Sequence, residues 1–186
     1  MEVSTNDLRN GMTLDLSDGI FSVVEFQHVK PGKGGAFVRT KLKNLRTKAV
    51  LDRTYRADEK LEQAVIDKRE MQLLYRNGNT LVFMDNSTYD QLEVGIEVLG
   101  NVSSYLVDGD SIVLVMYKGE VMDVELPTAV ELEVAETEPG LQGDRVSGAK
   151  KPATLITGLT LQVPLFVNPG DRIKVDTRTG EYLTRV

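Results

Sequence analysis

The chain has 186 residues, 41% of them hydrophobic, and a formal net charge of −6. It contains no cysteine, which excludes disulfides and thiolate chemistry and all but excludes a zinc site. No apolar run approaches the ~20 residues of a membrane helix, and the opening MEVSTNDLRNGM has neither the basic nor the apolar region of a signal peptide. A soluble, cytoplasmic protein without a membrane partner is the expectation.

The first long strand signal is GIFSVVEFQHV, rich in β-branched and aromatic residues. It runs into KPGKGGAF, where Lys33 is bracketed by Gly32 and by Gly34 and Gly35. Glycines permit positive φ and close approach of the backbone to another surface, at an entropic cost, and Pro31 stiffens the entry. AFVRTKLKN then alternates. Ala36, Val38, Thr40 and Leu42 point one way, while Phe37, Arg39, Lys41 and Lys43 point the other. The polar run ADEKLEQA marks a boundary near 63. REMQLLY and TLVFMD flank an Asn77–Gly78 turn and read as a hairpin. STYDQLEV reads as a short helix capped by Asn86. GIEVLGNVSSYL reads as a second, with Ile96, Leu99, Val102 and Leu106 on one face and Gly100 within it. SIVLVMY and VMDVEL turn near Gly119, Pro127 marks a second boundary, and DRIKVDT with EYLTRV closes the chain as a hairpin. The expected fold is all-β, built from small barrels, with domains at 1–63, 64–126 and 127–186. No residue-level repeat connects them.

Charge is unevenly spread. Residues 1–63 carry 11 Lys and Arg against 9 Asp and Glu, whereas 64–186 carry 11 against 19. Lys30, Lys33, Arg39, Lys41, Lys43, Arg46, Lys48, Arg53 and Arg56 crowd into 27 residues that hold one acid, Asp52. That concentration on an acidic chain suggests one polyanion-binding face; a solvated charged surface is the plainer reading. Catalytic groups are few. His28 is the only histidine, and no pair of acids is marked out as acid and base. The Gly-rich loop fails as a phosphate loop, because Gly34 follows Lys33 where a hydroxyl would be needed. An exposed turn with a solubilising lysine competes with a cationic probe that reaches into RNA.

The segment FQHVKPGKGGAFVRTKLKNLRT resembles the first domain of the bacterial elongation factor P family. KPATLITGLTLQVPLFVNPG resembles that family's C-terminal signature, through Lys151, Ala153, Gly158, Leu161, Val163, Pro164, Val167 and Gly170. The resemblance covers nearly the whole chain. It implies a KOW/SH3-like barrel followed by two OB-fold barrels in an L-shaped, tRNA-like arrangement. It also implies a non-enzymatic, cofactor-free translation factor that binds the ribosome between the peptidyl and exit sites and relieves stalling at consecutive prolines. Its partners would be peptidyl-tRNA and ribosomal RNA. Lys33 would be the tip, carried by Pro31, Gly32, Gly34 and Gly35, and a candidate substrate for a lysine-modifying enzyme. Lys30, Arg39, Lys41, Lys43 and Arg46 would contact RNA. Asp144, Arg145, Tyr182 and Arg185 would face the small-subunit end. One departure stands out: the family's Gly-Asp-Thr is here Gly143-Asp144-Arg145. The alternatives are an elongation factor P-like paralogue, a generic OB-fold RNA-binding module, and, least favoured, an enzyme with Lys33 as nucleophile. The second of these is disfavoured by an aromatic content of 6% and the absence of Trp.

Overall fold

The computed structural model describes residues 1–140 and 148–186 and is all-β. Its contacts divide into two compact units, residues 1–68 with 115–123 and residues 69–114 with 124–186. Its strands form three curled antiparallel sheets.

The first sheet contains β1 (Glu2–Ser4), β2 (Thr13–Leu16), β3 (Gly19–Val29), β4 (Phe37–Asn44), β5 (Val50–Arg56) and β6 (Lys60–Gln63), in the order β1-β6-β2-β3-β4-β5. The alternation expected along β4 is present: Val38, Thr40 and Leu42 are buried, while Arg39 and Lys43 are exposed. Leu8, Leu14, Phe21 and Val23 complete that core. The one buried polar member of β4, Thr40, donates its hydroxyl to the Arg53 carbonyl at 2.8 Å, so its burial leaves nothing unsatisfied.

The second sheet contains β7 (Asp67–Asn77), β8 (Thr80–Asp85), β9 (Gln91–Gly95), β10 (Ser111–Tyr117) and β11 (Glu120–Glu125), ordered β11-β10-β7-β8-β9. The third contains β12 (Ala129–Thr137), β13 (Lys150–Leu155), β14 (Thr160–Pro164), β15 (Arg172–Asp176) and β16 (Tyr182–Arg185), ordered β14-β13-β12-β15-β16. The Gly119 turn is where its residues place it, whereas the expected Asn77–Gly78 turn is shifted by one residue to Gly78–Asn79, because Asn77 pairs with Thr80 as the last residue of β7. Lys118 (φ 50°) and Gly119 (φ 79°) are both left-handed, as a two-residue hairpin loop requires.

A closing device recurs in all three sheets. The middle strand bulges at Val23/Glu25 in β3, at Leu73/Tyr75 in β7 and at Val134/Glu136 in β12. At each bulge a glycine with positive φ donates its N–H to the bulged strand: Gly11 to Val23, Gly109 to Leu73 and Gly170 to Val134, at 2.7–2.8 Å. The bulged residue returns the bond through its own N–H, to the carbonyls of Met12, Asp110 and Asp171. A bulge sharpens local twist, and the clamp holds the next strand against it, so each sheet curls.

Two helix expectations are corrected. STYDQLEV is not helical. The Asp85 carboxylate, not Asn86, accepts the N–H groups of Ser87 (2.7 Å) and Thr88 (3.1 Å), Tyr89 adopts φ 62°, and residues 91–95 become β9. Val94 is buried there by pairing with Leu81, so tertiary packing overrides a weak local helix preference. In GIEVLGNVSSYL the helix α1 (Ile96–Leu99) lasts one turn. Gly100 takes φ 56° and ψ −133°, and residues Gly100–Tyr105 continue as a three-ten helix. Of the expected stripe, Leu99 and Leu106 are buried, Ile96 and Val102 only partly, and the tighter winding adds Ser103 to the buried set.

Candidate nucleic-acid interface

The β3–β4 hairpin sets the site. Its last pair is Val29 with Phe37, which leaves residues 30–36 as a loop closed by an Ala57 N–H to Ala36 carbonyl bond of 3.0 Å. Pro31, Gly32, Lys33, Gly34 and Gly35 are all exposed. Gly34 has φ 108° and needs to be glycine for that reason. Gly32 and Gly35 have ordinary φ, and a Cβ at either would touch nothing within 4 Å. Their value is a thin backbone. Lys33 makes no ion pair among the described residues, and nothing folds over it.

Behind the loop the basic residues separate into groups. Lys30, Arg39, Lys43 and Arg56 are exposed and carry no ion pair among the described residues. Arg39 lies 5.5 Å from the centre of the Phe37 ring, whose face steadies the cation. Lys41 is countered. Its ammonium is 3.6 Å from Glu25, and Asp52 is its cross-strand partner on β5. The stripe expected from the alternation is therefore broken at its middle. Arg46 is off the stripe, in the β4–β5 turn, bonded to Glu120 at 2.9 Å. Lys48 is bound to Asp123. Arg53 is on the core side of β5, over the Phe21 ring at 5.2 Å and paired with Asp18. The Arg53 guanidinium holds the Asp18 carboxyl below the usual aspartate range and is itself held more firmly protonated. Burial pushes the Tyr55 hydroxyl up, an effect that nearby Arg53 only partly offsets. His28 is a surface residue, edge-on to Phe26 with ring centres 5.6 Å apart.

At the other end of the chain the predicted residues also separate. Tyr182 is half-buried against the third core. Arg185 is exposed; its guanidinium carbon lies 5.1 Å from the centre of the Phe166 ring and its Nη1 3.7 Å from Asp171. Asp144 and Arg145 lie outside the described residues. Phe166 was not singled out from sequence; an aromatic between Leu165 and a buried Val167 has no periodic signal to reveal its exposure. Among the described residues no group of three or more His, Cys, Asp or Glu side chains is placed to hold a metal, and no helix is long and apolar enough to cross a membrane.

Three family models match the chain in order: the elongation factor P KOW-like domain at residues 4–61, its OB domain at 66–124 and its C-terminal domain at 130–185. The chain belongs to the elongation factor P family. Relatives named elongation factor P include one from Symbiobacterium thermophilum, 55% identical over 98% of this chain and 99% of its own. Another, from Streptomyces avermitilis, is 57% identical over 98% of both. Among solved structures, the chain is similar to a eukaryotic translation initiation factor 5A from Methanococcus jannaschii. That likeness has a TM-score of 0.54 and 26% identity over 67% of this chain and 93% of that one. A family protein of the same factor from Naegleria fowleri, at TM-score 0.57 and 11% identity over 68% of this chain and 98% of that one, shares the fold. The elongation factor P assignment accounts for the combination of one KOW-like and two OB barrels, all strand, with the lysine hairpin in the first.

Proposed function

We propose that this translation elongation factor binds the ribosome beside peptidyl-tRNA, between the peptidyl and exit sites, and stimulates peptide-bond formation where consecutive prolines stall it. The observation that carries the reading is the isolation of Lys33. It is an exposed cation at the tip of a slim glycine loop, with no ion pair among the described residues, at the end of a strand whose outward face offers Arg39 and Lys43. Proline's ring restricts the geometries in which it can accept or donate a peptidyl group. A factor that fixes the tRNA end lowers the entropic part of that barrier and needs no general base. Lys30, Arg39 and Lys43 would hold phosphates, and the lysine would extend further into the RNA. Lys33 is also the residue we assign as the candidate for post-translational extension. Arg46 has a weaker claim to RNA, since Glu120 holds it.

Lys33→Ala should leave the fold intact, because the tip packs against nothing. It should lose most stimulation of synthesis through Pro-Pro-Pro and weaken cosedimentation with ribosomes. An alanine variant that rescues a polyproline reporter as well as the parent, at matched expression, would remove Lys33 from the mechanism.

A further inference from the structure

Phe166 lies in the connection between β14 and β15 and is 55% exposed, the one phenylalanine so open among the described residues. The chain itself keeps it out. Val167 is fully buried in the third core, and its N–H donates to the Pro164 carbonyl at 3.2 Å. The backbone therefore turns inward one residue after Phe166. Asp171 holds the Arg185 guanidinium where it covers the ring. Gly148, Ala149, Lys150, Pro164 and Leu165 line a shallow concavity together with Phe166. Register pairs Lys150 with Pro164, which puts it at the rim, and Lys150 is exposed with no ion pair among the described residues.

An exposed ring flanked by one steered cation and one free cation matches a particular ligand. A nucleobase offers a π-face to the ring and to the apolar floor, and its phosphate offers charge to Lys150 and Arg185. An apolar protein side chain would use the ring but leave Lys150 without a counterpart. We propose that this patch binds one unstacked nucleotide of single-stranded RNA, with the base against Phe166 and the phosphate between Lys150 and Arg185. The inference rests on the reading that the factor works against RNA, and it adds a second contact point on a different sheet from Lys33.

The test uses free RNA and the isotope-labelled full chain, with no ribosome. A short oligoadenylate should shift the NMR signals of Phe166 and Leu165 as well as Lys150, whereas an abasic ribose-phosphate chain of equal length should leave Phe166 and Leu165 in place. Phe166→Ala should weaken oligoadenylate binding roughly ten-fold, the range of one stacked base, and Phe166→Tyr should retain it. Lys150→Ala should lower the salt dependence by about one phosphate contact. The proposal is overturned if the abasic chain binds as well, if Phe166→Ala binds as the parent does, or if millimolar oligoadenylate leaves Phe166 unmoved. Signals that shift with protein concentration alone would make the patch a contact between copies. Loss of ribosome binding in Phe166→Ala, with oligonucleotides inert, would make it a protein contact. None of these outcomes bears on the Lys33 reporter, so the two readings fail separately.

Discussion

Lys41 and Lys43 alternate onto one face of β4, yet their surroundings differ. Lys43 stands opposite Ser22 and Val50 and has no ion pair among the described residues, whereas Lys41 stands opposite Glu25 and Asp52. A phosphate must compete with two carboxylates for Lys41. Exposed pairs of this kind are worth little in stability, but they reduce the net charge that RNA meets. Lys43→Ala should therefore reduce the salt dependence of ribosome binding by close to one contact, and Lys41→Ala by distinctly less. Cosedimentation across a salt series measures both; equal slopes would mean that Glu25 and Asp52 do not shield Lys41. This difference was not legible in the sequence. Alternation reveals which side of a strand a residue occupies, and the partners come from strands 16 or 11 residues away.

Turn chemistry governs the elements. Asn44, Asp85 and Asp176 each begin a turn whose side-chain oxygen accepts two N–H groups: Arg46 and Thr47, Ser87 and Thr88, and Arg178 and Thr179. Thr47, Thr88 and Thr179 then accept the N–H two residues on. Lys48, Tyr89 and Gly180 follow with positive φ. Backbone donors hold the Asp85 carboxyl below the usual range, but neutral Asn44 makes the same two bonds. Asp85→Asn should therefore fold with little change. Asp85→Ala, which strands two N–H groups, should lower the thermal midpoint by a few degrees. A calorimetric scan of both variants checks this, and equal losses would assign the role to charge instead. The strands were largely legible because apolar alternation is a direct record of burial, as along β4. The segment from Asn86 to Val94 was not. An Asx followed three residues later by Thr is compatible with both a helix cap and this turn, and only the pairing of β9 with β8 decides between them. The recurring bulge and glycine clamp was invisible for a related reason. RNGM, VDGD and NPGD share one glycine and a hydrogen-bond pattern, with little else in common.

Over the whole molecule the acid is more concentrated than the two-part division of the chain suggests. Residues 64–126 carry 11 acidic and 4 basic residues, whereas residues 127–186 carry 8 and 7. The central segment thus carries the net negative charge of the chain, and Asp90, Glu93 and Glu97 present part of it to solvent. Such a field repels phosphate, and under the proposed function it would keep RNA to the first and last segments of the sequence. Replacing these three by Asn, Gln and Gln should raise affinity for generic RNA without altering the fold. Filter binding to an unstructured RNA reads this directly, and unchanged binding would show that the acidic segment does not discriminate.

The clamps also differ in how far along the chain they reach. Gly11 and Val23 are a dozen residues apart, but Gly109 and Leu73, like Gly170 and Val134, are separated by thirty-six. Closing the shorter span costs about 1 kcal/mol less chain entropy, by the logarithmic dependence on loop length. The clamp in the barrel that carries Lys33 is therefore the most local of the three, and that barrel is also the first to leave the ribosome during synthesis. It can seal before the other two have all their strands, so the hairpin that presents the lysine is built on a support already closed.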